Sequence, residues 1–127
     1  MGTEAEVYRL NWQSSFHGRA VVRIGQQGDQ IVLRATYHPY DFITGDFGSD
    51  LTLTMSDWRR LQDALVDASF WALDVRDDRI GFDGATWTIE GRRKEICRIV
   101  ERWCPGGAIW HLGPVFFDLA GLTHIEI

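Results

Sequence analysis

Asp83 and Glu90 are the first residues in this 127-residue chain whose types can divide the work of an acid and a base. Paired carboxylates do this when their surroundings push their pKa values apart. Each also has a structural use. Asp83-Gly84 is a turn dipeptide. Glu90, at a strand end before Gly91, can accept turn amides or pair with Arg92 or Arg98. His38 and Asp41, in the run HPYD, are a second set: a base and the acid that orients it. No motif sets a serine or cysteine nucleophile beside them, and G-x-S-x-G is absent. His17, His38, His111 and His124 are scattered. Cys97, Cys104 and His111 lack the close paired spacing of zinc ligands. No cofactor motif is present, no metal site is expected, and nothing supports an enzyme strongly.

Charge is the next source of chemistry. Arg92-Arg93-Lys94, with Arg98 and Arg102 beyond, lies near Trp87 and Trp103, a combination that can stack and hold a nucleic acid strand. The formal net charge of -5 opposes that use, because nucleic acid affinity comes from neutralising phosphates. The same charge favours a solvated turn that guards an edge strand. Acids gather in two stretches: Asp41, Asp46 and Asp50 in one, Asp74, Asp77 and Asp78 in the other. Complementary charge speeds the meeting of two proteins and suits a plug for a basic cleft. These six aspartates are the partner-binding candidates.

The elements that must position them follow from periodicity. Residues 6–13 alternate, with Tyr8, Leu10 and Trp12 on one side and Arg9, Asn11 and Gln13 on the other. Residues 19–25 set Ala20, Val22 and Ile24 against Arg19 and Arg23. Ile31, Leu33, Ala35 and Tyr37 form the inner side of a third strand. Residues 38–50 break the pattern and read as a loop rich in aromatics. Leu51, Leu53 and Met55 make a fourth strand. Ser56 is the expected N-cap of a helix with Trp58, Leu61, Leu65 and Ala68 on its buried stripe. Strands at about 85–90 and 95–103 follow, turning through Gly91 to Lys94. Gly113-Pro114 opens a last helix, where the missing N–H of proline costs nothing. The fold class is therefore one α+β domain over residues 1–127, a mostly antiparallel sheet of about six strands with two helices packed on one face.

The segment DGATWTIEG, continued by RWCP, resembles a family of small bacterial proteins with a DG-x-x-W-x-x-EG … R-W-x-P pattern. The matching positions are Asp83, Gly84, Trp87, Glu90 and Gly91, then Arg102, Trp103 and Pro105. That family is functionally uncharacterised, so the resemblance implies a fold pattern and no activity.

The hydrophobic fraction of 45% is ordinary for a globular domain. Six Trp, seven Phe and three Tyr point to an aromatic core, with Trp87 and Trp103 inside it. Cys97 and Cys104, if on one strand, stand roughly 23 Å apart at ~3.3 Å per residue, too far for a disulfide. They are expected to be free, mostly buried thiols. No signal-like or membrane-spanning run is seen, so the expected location is cytoplasmic, with no membrane partner. Small size, acidic stretches and aromatic-rich loops lead to one expectation: a non-enzymatic bacterial immunity-type protein that binds and blocks a toxin or effector. The expected partner is a protein, with a basic toxin or effector domain as the candidate, and not nucleic acid. The alternative is a small enzyme or ligand-binding domain with a pocket near the 38–50 loop, lined by Tyr37, His38, Tyr40 and Asp41.

Overall fold

The computed structural model describes residues 6–14, 18–39, 47–73, 85–103 and 107–122. Period-two alternation builds its first three strands. β1 (Glu6–Ser14) turns Tyr8, Leu10 and Trp12 into the core. β2 (Gly18–Gln27) buries Ala20, Val22 and Ile24, and β3 (Gln30–Pro39) buries Ile31, Leu33, Ala35 and Tyr37. β4 (Phe47–Leu53), β5 (Ala85–Arg93) and β6 (Ile96–Trp103) complete a six-stranded sheet ordered β4-β3-β2-β1-β5-β6. Every neighbouring pair is antiparallel.

Two helices cover one face of this sheet. In α1 (Met55–Asp67), Trp58 sits 6.1 Å from Tyr8, centroid to centroid. In α2 (Gly107–Ala120), Phe117 meets Trp12 edge-on at 5.4 Å. Tyr8 and Trp12 share a face, so both helices lie on the same side. The structure is the α+β arrangement expected from the sequence. Among the described residues, no helix is long and apolar enough to cross a membrane.

Five local expectations are corrected. Thr54, not Ser56, caps α1. The Thr54 hydroxyl accepts from the Asp57 amide at 3.1 Å, and the Asp57 carboxylate accepts from the Thr54 amide at 3.2 Å. This reciprocal box needs an acid three residues after the cap, and only Thr54 has one there. With Met55 inside the helix, β4 moves back to Phe47. Gly48 and polar residues are tolerated because β4 is an edge strand.

Gly91 is not in the turn but inside β5. A Cβ there would lie 2.7 Å from Phe70 and 2.9 Å from Tyr8, so bare backbone is what lets those rings pack. The turn falls at Lys94-Glu95, with Lys94 at φ 57°.

α2 starts at Gly107, so Pro114 lies in its interior rather than at its opening. Proline there removes one backbone hydrogen bond while its fixed φ still suits a helix. Finally, Cys97 is exposed rather than buried, because on β6 it points away from the helices. Its thiol is free. Trp87 is buried as expected, at 1% exposure. The side chain of Trp103, and Cys104, lie outside the described residues.

Candidate functional site: the open face of the sheet

Strand alternation that feeds the core also populates the opposite face, which no described helix covers. Register decides what meets there. Asp50 on β4 stands opposite Arg34 on β3, Arg34 opposite Arg23 on β2, and Arg23 opposite Arg9 on β1. Arg9 in turn stands opposite Glu90 on β5, and Glu90 opposite Ile99 on β6. One rung thus crosses the whole sheet, with three arginines at its centre and an acid on either side of them. Neighbouring strands are about 4.8 Å apart, so the three arginine Cα atoms span roughly 10 Å. Arg92 occupies the adjacent rung of the same face on one side, and Arg19 lies two rungs away on the other.

The two acids are engaged. Nη2 of Arg9 donates to both carboxylate oxygens of Glu90 at 2.8 Å. Their side chains are 39% and 23% exposed, so the pair is worth on the order of 1 kcal/mol at most. Arg34 Nε lies 3.4 Å from Asp50, in a pair exposed at 66% and 75%. The Nε atoms of Arg9 and Arg92 are buried, which lays their stems on the sheet instead of out in water. Cross-strand like charges repel. Arg9, Arg23 and Arg34 keep that arrangement across three consecutive strands.

Each expected acid–base set has one member outside the described residues. Glu90 is held by Arg9, a cross-strand partner the sequence does not pair with it, rather than by Arg92 or Arg98. Asp83 lies outside the described residues. His38 is exposed on the open face, whereas its neighbour Tyr37 is buried against the helices, so these two do not line one pocket. Tyr40, Asp41, His17 and His124 lie outside the described residues. His111 is exposed on α2, on the far side of the sheet from His38. Among the described residues, no three His, Cys, Asp or Glu side chains converge as metal ligands do.

The basic run is also dispersed. Arg92 faces the open side. Arg93 stacks over Trp71 at 4.9 Å, Arg98 donates to the Leu73 carbonyl at 3.1 Å, and Arg102 to the Glu101 carbonyl at 2.8 Å. Of the six partner-binding aspartates, Asp50 is described and solvent-exposed on the β4 edge. Asp41, Asp46, Asp74, Asp77 and Asp78 lie outside the described residues.

Two depressions lie on the helical side. An open groove of about 580 Å³ between α1 and α2 is lined in part by Arg59, Arg60, Asp63, Asp67 and His111. Arg60 is tied to Asp118 across it at 2.8 Å. A smaller hollow of about 320 Å³ gathers Glu6, Tyr8, Gln62, Trp71 and Arg93. There the Tyr8 hydroxyl donates to Glu6 at 2.6 Å, and Gln62 donates to the same oxygen at 3.2 Å. Burial, reinforced by the Glu6 carboxylate, pushes the Tyr8 phenol well above its ordinary value of 10.0. A phenol held protonated in this way is a fixed hydrogen-bond donor and a poor base.

Sequence reasoning missed the arginine rung. Arg9 and Arg23 were each recognisable as outward residues of their strands. Their meeting with Arg34 depends on register, which hairpin geometry sets and composition does not reveal. No protein-family model matches the chain, and the comparison with curated proteins returns no match.

Proposed function

We propose that this chain is a small non-enzymatic interaction protein of the immunity type, acting in the bacterial cytoplasm by binding and blocking a toxin or effector protein. The observation that carries the reading is the layering. Both helices sit on one side of the sheet, and the described part of the other side is a broad surface of charged, neutral polar and aliphatic side chains. A surface of that breadth suits a macromolecular partner, whereas small molecules are held in concave pockets. Asp50, exposed on the edge strand, would act with Asp41 and Asp46, and with Asp74, Asp77 and Asp78, to draw in a basic cleft.

The test uses the partner recovered with the protein from its source cell. Added protein should suppress that partner's activity stoichiometrically. Asp77→Lys with Asp78→Lys should slow association, most at low salt, while the melting temperature stays nearly unchanged, since surface substitutions usually cost about 0.5 kcal/mol or less. Unchanged affinity and on-rate after reversal of both acidic clusters would reduce the acids to solubility devices. Turnover of a substrate by the protein alone, lost in His38→Ala or Glu90→Gln, would replace this reading with an enzymatic one.

A further inference from the structure

We propose that the hollow holding Glu6 and Arg93 is a binding site for a small zwitterion, a free α-amino acid, with the ammonium on Glu6 and the carboxylate on Arg93. The inference goes beyond the immunity reading, which needs no ligand on the helical side.

The first support is a charge pair that does not close. Side chains directly opposite on antiparallel strands have Cβ atoms about 4.5–5.5 Å apart, and opposite charges there attract. Glu6 and Arg93 are such a pair, at the end of the ladder where β1 begins and β5 finishes. Yet, among the described residues, neither is in an ion pair. Each is held by another group instead. Glu6 Oε2 accepts from the Tyr8 hydroxyl at 2.6 Å and from Gln62 at 3.2 Å, and no described group donates to Oε1. The Arg93 guanidinium lies over Trp71 at 4.9 Å, and its N–H groups make no hydrogen bond among the described residues. Both charges line one hollow of about 320 Å³. A pair kept for stability would close on itself. A pair fixed by separate partners leaves both charges to a third molecule.

The second support is that the two groups are set in advance. Burial keeps the proton on Tyr8, so the phenol stays a donor to Glu6 and holds the carboxylate in place. Trp71 engages the flat face of the Arg93 guanidinium, which leaves the N–H edge to meet a carboxylate with two parallel bonds. Less side-chain freedom is therefore lost when a ligand enters.

The third support selects the ligand class. Ligand pockets run from roughly 300 to 1,000 Å³, so this hollow suits a molecule of amino-acid size. Arg93 opposes a bare cation. Glu6, and the exposed Asp63 at the rim, oppose a bare anion. A molecule with one charge of each sign meets both demands, and the acids on one side fix which end goes where. Leu65 and Val66 also line the hollow and offer an aliphatic wall to a side chain.

The experiment titrates the full, isotope-labelled chain with L-leucine and with two analogues, each lacking one charge: isoamylamine, without the carboxylate, and isocaproate, without the amine. Two-dimensional NMR reads affinity from the Gln62 side-chain amide and the Trp71 indole N–H. Leucine should give saturable shifts at both. Each analogue should bind about tenfold or more weakly, the scale of one lost charge-assisted contact. Because these arms use the parent protein, they do not depend on any variant folding.

Glu6→Gln, which keeps an acceptor for Tyr8, and Arg93→Gln should each weaken leucine binding by a similar factor. Arg19→Gln, on the opposite face of the sheet, should leave it within about twofold. Thermal melting of each variant shows that it is folded before it is titrated. No saturable shift up to the solubility limit of leucine, an analogue that binds as tightly as leucine, shifts confined to other residues, or an equal loss in Arg19→Gln would each overturn the proposal. Since no toxin or effector is used, its failure leaves the immunity reading standing, and the reverse also holds.

Discussion

Replacing Gly113 by alanine sets two well-characterised effects against each other. In an exposed helix interior, Gly→Ala stabilises by up to about 1 kcal/mol. At position 113 the new Cβ would lie 2.2 Å from each of two carbons of the Trp87 ring and 3.0 Å from a third. Carbon atoms settle at about 3.5–4.0 Å, so the ring or the helix must retreat by more than 1 Å. Trp87 has little room to do so: it is 1% exposed and stands on an inner strand. Overpacking on this scale costs about 1–3 kcal/mol, with larger values where nothing can shift. The steric term should win, giving a net loss of about 2 kcal/mol, or a melting point lower by roughly 6–10 °C for a domain of this size. Urea and thermal unfolding of Gly113→Ala measure it. The decisive arm is the background Trp87→Leu, itself destabilising. There the same alanine should be neutral or favourable, because the ring it struck is gone. A Gly113→Ala protein that is more stable than the parent would refute the close contact and with it the placement of α2 against β5.

Thr54→Ala should cost about 1 kcal/mol by removing the capping hydroxyl, whereas Ser56→Ala should change stability by a few tenths; chemical denaturation of both variants separates the two cap assignments. Tyr8→Phe tests the buried phenol through pH. The folded chain holds the Tyr8 proton more tightly than the unfolded chain, so Tyr8 contributes stability below about pH 10 and loses it as pH rises further, by up to ~1.4 kcal/mol per pH unit. The advantage of the parent over Tyr8→Phe should therefore shrink between pH 9 and 11, values either side of the ordinary phenol value of 10.0; a constant or growing gap would refute the shift. Cys97, exposed and free, should react with a thiol reagent in the native protein without denaturant, and Cys97→Ser should remove that reaction.

Much of the sheet could be read in advance because solvent imposes the same rule on each strand. Tyr8, Leu10 and Trp12 alternate with Arg9, Asn11 and Gln13 whatever their neighbours are, and the structure keeps that division. The helix stripe of Trp58, Leu61 and Leu65 was legible for the same reason. Positions that serve two elements at once were not. Gly91 looks like a turn residue locally, and only the presence of Phe70 and Tyr8 above it explains why it belongs in a strand. Gly113 looks like a helix opening, but α2 begins at Gly107, and Trp87 beneath residue 113 is what leaves no room for a side chain there. The Ser56 assignment failed for a nearer reason: Thr54 and Ser56 are both good caps, and the position of Asp57 chooses between them.

The open face adds a different kind of hidden information. Arg9, Arg23 and Arg34 are separated in sequence by unequal intervals, so no motif contains them. They become neighbours only when two hairpins fix their registers. The acidic residues behave oppositely, clustering in sequence at 41–50 and 74–78. A net charge of -5 sums over both and describes neither. Acids clustered in sequence and arginines gathered by register would make opposite demands on a partner, and substitution can separate them. Under the proposed function, reversing Asp77 and Asp78 should impair association with a basic partner surface. A partner that also loses affinity when the exposed Arg34 is reversed would carry both signs, and an interface spanning the open face and the acidic stretches would then be the simplest account of its binding.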